Sequence, residues 1–344
     1  MPIARSLMGI GKTSKTGALT SAGTVSTSKN RSSICVSADG KHVYAGSTYS
    51  DINVFSRNTT TGALSLSQTY TISGNTNNNI CVSSDGKNVY YAIGNSYYVI
   101  NRDTTNGNLS SNSNSNTVGS AVGMCISPDD KNVYIVDAVN CLVRTFNRNS
   151  TTGALTANGT VNIGLVPKRI AISSDGKNVY VANANTNNDG GIYIFSRDTT
   201  TGVLSGNSFA AVTGGTNGTS TQALYPCVSP DGKNVYVCCN FGYSRIFSRN
   251  TTTGLLTYQG DFSISSPSDI SVSPDNLNVY VLNQSSYYIY IFNRNLSNGS
   301  LTSAGTIAAY NPINICISPD NNNVYVTSTA ADAAYWNVLI YNRS

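Results

Sequence analysis

Residues 229–237 read SPDGKNVYV, Ser229 to Val237, and close copies of this segment return along the whole chain. They are ICVSADGKHVYAG (34–46), ICVSSDGKNVYYA (80–92), MCISPDDKNVYIV (124–136), IAISSDGKNVYVA (170–182), PCVSPDGKNVYVC (226–238), ISVSPDNLNVYVL (270–282) and ICISPDNNNVYVT (315–327). The tyrosines that mark them, Tyr44, Tyr90, Tyr134, Tyr180, Tyr236, Tyr280 and Tyr325, follow one another at 46, 44, 46, 56, 44 and 45 residues. A period of about 45 residues with four short β-like runs per unit is the mark of a propeller blade. The sequence therefore predicts an all-β, seven-bladed β-propeller of four-stranded antiparallel blades.

The first unit shows the grammar. Strand a covers Ser33–Ser37 and strand b His42–Gly46, joined by a tight turn at Ala38-Asp39-Gly40. Strand c covers Ile52–Ser56, and after the turn RNTTTG strand d runs from Ala63 to about Ile72. β-branched and aromatic residues fill the runs, and turn residues punctuate them. Asp39, Asp85, Asp129, Asp175, Asp231, Asp275 and Asp320 stand where an aspartate can bond its own backbone two residues on. The next slot holds Gly40, Gly86, Asp130, Gly176, Gly232, Asn276 and Asn321, the residue types that accept a positive φ. Sevenfold recurrence at a turn marks these aspartates as structural rather than catalytic or calcium-binding.

The last unit stops after its third strand, in WNVLIYNRS (336–344), and lacks a fourth. The missing piece stands at the other end, as KTGALTSAGTVS, Lys15–Ser26. Pairing it with the C-terminal strand closes the ring and removes the exposed edge. The expected organisation is an N-terminal tail, 1–14, and one propeller, 15–344, with blade seven completed by 15–26. The a–b and c–d turns, uniform in length, share one face. The b–c and d–a connections share the other and vary, the longest being Val212–Leu224. Binding belongs on loops that a rigid scaffold lets vary.

Composition narrows the function classes. Charged residues make up only 11%, there is no glutamate, and Asn (44), Ser (47) and Thr (36) supply the polar surface. The net charge of +5 is dispersed, with no basic run longer than Lys168-Arg169, whereas nucleic-acid binding calls for clustered cations. No apolar stretch approaches the length of a membrane span, and the first residues lack the apolar core of a secretory signal. Nucleic acid and membrane insertion are therefore not expected. A weakly charged, hydrated surface favours an extracellular, cell-surface or virion location over the cytoplasm.

Of eight cysteines, Cys35, Cys81, Cys125, Cys227 and Cys316 share one repeat position, which Ala171 and Ser271 fill in the other copies. A slot shared by Cys, Ala and Ser holds a small buried side chain, so reduced thiols are expected. With one histidine, His42, and no CxxC pair, neither a metal nor another cofactor is expected. Arg57, Arg102, Arg148, Arg197, Arg249, Arg294 and Arg343 recur at the end of strand c. They are expected to bond turn carbonyls or neighbouring aspartates, their charges dispersed far from the axis, rather than to form an anion-binding ring.

SPDGKNVYV followed by strands such as IYIFSR (192–197) and the turn DTTTG resembles the YVTN-type, lactonase-like seven-bladed propellers, the broad family that includes 6-phosphogluconolactonase. The resemblance covers residues 15–344 and implies the fold. If the chain is an enzyme, it implies a lactone hydrolase working in the central channel. The matching residues are scaffold residues, so no catalytic residue carries over by motif.

Two candidate regions follow on the variable face. The channel mouth should be lined by residues at the start of the a strands: Asn78, Asn79, Val122, Lys168, Arg169, Tyr225, Ser268, Asp269, Asn311 and Asn314. Asp269 is the one candidate for a general base there, with an ion pair to Lys168 or Arg169 across the funnel. Aromatics gather in the b–c connections: Tyr49, Tyr97, Tyr98, Tyr243, Tyr287, Tyr288, Tyr335 and Trp336. Rings with polar tips suit protein contacts and sugar stacking. Taken with the low charge, these features give as first expectation a non-catalytic binding or structural propeller in a surface, envelope or virion assembly. Its partners would be another protein or identical copies, with glycan as a further candidate. The alternatives are a lactonase-like hydrolase using Asp269, and a carbohydrate-binding propeller.

Overall fold

Each repeat folds as four strands because its extended runs, five to nine residues long, end at Asx and glycine turns. In the computed structural model, which describes residues 15–344 apart from 50, 73–77, 116–117, 165, 186–189, 213–221, 241–242 and 330–335, these runs form strands β1–β28 in chain order. Blade one comprises β2 (Arg31–Val36), β3 (His42–Ser47), β4 (Asp51–Arg57) and β5 (Leu64–Thr71), hydrogen-bonded in that order. Five further blades repeat this order. Their innermost strands are β6 (Asn78–Val82), β10 (Ala121–Ile126), β14 (Pro167–Ile172), β18 (Ala223–Val228) and β22 (Pro267–Val272). The longest predicted loop and Tyr335 fall largely or wholly outside the described residues, as does the 1–14 tail.

Blade seven is the closure. β26 (Pro312–Ile317) and β27 (Asn323–Thr329) pair in order with β28 (Trp336–Arg343), and β1 (Leu19–Thr27) lies antiparallel along β28. Val25 stands opposite Val338 and Gly23 opposite Ile340, as the truncated last repeat predicts.

The second strand of every blade is buried along its length, as in β3, apart from the half-buried Thr329 that ends β27. Neighbouring blades cover both of its faces, so the VYV that follows the buried asparagine reads as a continuous apolar run rather than an alternating one. The core is accordingly a set of inter-blade layers. One joins Tyr44, Ile52 and Val54 of blade one to Val89, Tyr91 and Ile100 of blade two.

The turn aspartates and the recurrent arginines make one device, repeated at every junction. Arg249 donates Nε to the hydroxyl of Tyr180 (2.9 Å), Nη1 to the carbonyl of Gly232 in its own blade (3.0 Å), and Nη2 to Asp175 (2.9 Å) and Asn178 (2.5 Å) of the blade before. Tyr180 in turn donates to the Gly254 carbonyl, and a Cβ on Gly254 would fall 2.1 Å from Asn178. Burial alone would raise the Asp175 carboxyl. Hydrogen bonds from Ser173 and Lys177 N, with Arg249, outweigh it and hold the pKa below the ordinary carboxylate value. The same latch recurs from Arg57, through Asp320, Asn323 and Tyr325, to Arg343, through Asp275, Asn278 and Tyr280. These arginines do bond turn carbonyls and aspartates, as expected. They are buried clamps between blades, however, and not dispersed surface charges.

His42 occupies the asparagine place in one latch. Its Nδ1 lies 2.8 Å from Arg102 Nη2. A guanidinium can only donate, so Nδ1 accepts and the ring is neutral.

Candidate functional site

The innermost strands place one residue each at the same height around the axis, two positions before the Cys/Ala/Ser slot. In blade order they are Ser33, Asn79, Gly123, Arg169, Tyr225, Asp269 and Asn314. In six of the seven blades the ladder shifts register next to this residue. A bulge re-aims a side chain out of the regular ladder. Six of the seven, all but Gly123, line a chamber of about 150 Å³ with Ile80, Met124, Ile170 and Pro226. Above it lies a wider cavity of about 330 Å³, lined by Ser32, Val122, Lys168, Leu224, Ser268 and Ile313 from the next position up, with Arg169, Tyr225 and Gln284.

Asp269 is the carboxylate of this chamber. Oδ2 accepts from Asn314 Nδ2 at 2.5 Å and from the Ile315 amide at 3.0 Å, both in blade seven. Asn314 is itself fixed from the far side, because its Oδ1 accepts from Ile34 N of blade one at 2.9 Å. Asp269 remains partly open toward the chamber, yet protein crowds its other sides. That desolvation pushes its pKa up to about 6, against the opposing pull of the Ile315 amide, the Arg169 charge and the Ile270 amide.

Arg169 does not pair with Asp269, contrary to the expected ion pair. It reaches across the channel and donates Nη1 to Asn79 Oδ1, with its guanidinium carbon 5.9 Å from the centre of the Tyr225 ring. Gly123 faces the backbone of the next blade. A Cβ there would meet Lys168 O at 3.0 Å and Ile170 N at 3.1 Å, so any larger residue would push blades three and four slightly apart.

The structure thus brings together Arg169, Tyr225, Asp269, Asn79 and Asn314, and sets Lys168 just above them. It adds Ser33 and Gly123, which the sequence reading passed over. Nothing among the described residues groups three or more His, Cys, Asp or Glu side chains as a metal site. The eight cysteines are free thiols.

The b–c aromatics do not join this cavity. Tyr97 is buried against Phe146, ring centres 5.0 Å apart, because its strand position points between blades two and three. Tyr98 is core as well. Tyr49 is exposed, Tyr243 and Trp336 are half-buried, and Tyr287 stacks on Tyr310 at 4.4 Å. Tyr49, Tyr97, Tyr243, Tyr287 and Trp336 are therefore not assembled into one ligand site.

Comparison with known proteins follows the same architecture. The family model described as "Lactonase, 7-bladed beta-propeller" matches residues 10–126, 123–219 and 207–319. A putative 6-phosphogluconolactonase from Bacteroides fragilis superposes with a TM-score of 0.71 at 23% identity, covering 83% of this chain and 86% of that one. The periplasmic gluconolactonase PpgL of Pseudomonas aeruginosa gives 0.71 at 17% identity, covering 82% and 86%. No curated protein matches the sequence. At these identities the superpositions speak for the fold, whereas the family match speaks for descent. It overturns the first expectation, a non-catalytic binding or structural propeller in a surface, envelope or virion assembly, which rested on the low charge and the aromatic variable face. Missing glutamate does not leave the channel without a carboxylate, because Asp269 lines the chamber. The chain belongs to the seven-bladed β-propeller lactonase family.

Proposed function

We propose that the protein hydrolyses lactones in the central channel, with Asp269 as general base. One observation carries the reading. Asp269 is the carboxyl whose pKa is raised, to about 6, and it lines the chamber at the axis. The latch aspartates are all held low by their partners instead. A base with a pKa near the working pH is mostly ionised at neutrality and still accepts a proton.

A water held by Asp269 gives up a proton to the carboxylate as its oxygen bonds to the lactone carbonyl carbon. The carbonyl π pair moves onto oxygen. When the tetrahedral adduct collapses, the ring C–O bond breaks and the alkoxide takes the proton back from Asp269. The product is a hydroxy acid, whose new carboxylate faces a wall made cationic by Lys168 and Arg169. That wall supports lactones with an anionic substituent over neutral ones. The two structural neighbours named as gluconolactonases suggest beginning with sugar lactones.

Proton release from γ- and δ-lactones of aldonic acids, with and without a phosphate, tests the reading. Turnover by the wild type that falls at least ~100-fold in Asp269→Asn supports it. Equal rates for the two proteins reject it.

A further inference from the structure

We propose that Asn79 is a catalytic residue, its amide N–H receiving the carbonyl oxygen of the substrate as that oxygen becomes negative. The inference rests on the hydrolase reading above and assigns the electrophilic side of the same chamber.

The argument begins with hydrogen-bond direction. Arg169 presents only donors, so the atom of Asn79 that meets Nη1 has to be Oδ1. This fixes the orientation of the amide. Nδ2 is left on the other side, and among the described residues it has no partner. Asn79 is 8% exposed and lines the 150 Å³ chamber with Asp269 and Asn314. A buried amide donor without a partner is rare in a folded protein and needs an explanation. A ligand oxygen seated in the chamber supplies one.

The contact with Arg169 also matters electrostatically. A cation on Oδ1 draws density from the amide and strengthens Nδ2–H as a donor. The placement suits an acyl transfer. Asp269 in blade six and Asn79 in blade two stand apart on the ring, so a carbonyl between them has its base on one side and its donor on the other. A preorganised donor aimed at a developing oxyanion contributes far more to the transition state than to the bound substrate. Arg169 acts through Asn79 as a positioning residue.

The test uses Asn79→Asp, which keeps the size and the bond to Arg169 but replaces the donor with an acceptor. Folding is checked by an unchanged melting profile, and Asn79→Ala serves as the second variant. Two readouts are taken on the full chain: kcat and KM for the best lactone, and calorimetric binding of the corresponding lactam, which is not hydrolysed. The expected result is a kcat reduced roughly 100- to 1,000-fold in each variant with KM within about threefold. A kcat within about threefold of wild type overturns the role of Asn79 and leaves the hydrolase reading standing. If the wild type turns over no lactone, the hydrolase reading falls and the lactam decides. At least ~10-fold weaker binding by Asn79→Asp retains Asn79 as a carbonyl donor. Equal binding by both, or no binding by the wild type, removes it.

Discussion

Asn314 Nδ2 donates to Asp269 Oδ2 at 2.5 Å, and the same Asn314 accepts from Ile34 N at 2.9 Å. One amide therefore ties blades six, seven and one together at the axis and holds the Asp269 carboxylate in a single orientation. Removing it affects both the pKa and the aim of the carboxylate. Asn314→Ala takes a donor from the ionised form of Asp269, so the apparent pKa of the base should rise from about 6 to roughly 7. Maximal kcat should also fall by roughly tenfold, because the carboxylate is no longer held in place. A pH–rate profile of the variant checks both. A profile that superposes on wild type refutes the positioning role.

The inter-blade latch sets stability. Arg249→Met leaves the buried Asn178 and Tyr180 without their shared donor and the partly exposed Asp175 without its ion-pair partner. Water screens the freed Asp175, so the cost lies below that of a fully buried pair, at about 2–3 kcal/mol, most of it from the orphaned Asn178 and Tyr180. Denaturant unfolding should show a loss of that size in the midpoint-derived free energy, with far-UV circular dichroism of the native state unchanged. A loss under about 1 kcal/mol would show that the latch contributes little beyond apolar packing.

His42 makes one latch pH-sensitive. Burial first and the Arg102 charge second hold its pKa below the ordinary imidazole value, with Lys41 adding to this and Asp39 opposing it. A group with a lowered folded pKa is stabilised in its neutral form. That stability is complete above the unfolded pKa of about 6.5 and is lost as pH falls toward the folded value. His42→Asn should therefore abolish a drop in melting temperature between pH 7 and pH 5 that wild type shows. Parallel melting curves for the two proteins over that range would exclude His42 as its source.

The fold was legible in the sequence because it rests on recurrence. SPDGKNVYV and the arginine that ends each third strand are the two halves of the latch, and selection for one geometry seven times leaves one pattern seven times. The site was half legible for the opposite reason. Two positions before the cysteine slot the copies diverge into Ser33, Asn79, Gly123, Arg169, Tyr225, Asp269 and Asn314, beside a column that hardly varies. Reading that column whole would have found Ser33 and Gly123, which are small and look like ordinary strand filler. The aromatic surface misled because b–c tyrosines alternate in direction. Tyr97 and Tyr98 turn into two different inter-blade layers while Tyr49 faces solvent. The arginine charges misled too, since distance from the axis says nothing about burial between blades.

The pH dependence of kcat/KM for lactone hydrolysis, measured on wild type and on Asp269→Asn, tests the central assignment most directly. In the free wild-type enzyme the rate should rise with pH and level off around a single apparent pKa of about 6, as Asp269 ionises in its desolvated chamber. The variant should show a flat residual rate at least ~100-fold lower. A wild-type profile without that inflection, or a variant that keeps it, would place the chemistry on another group and contradict the account.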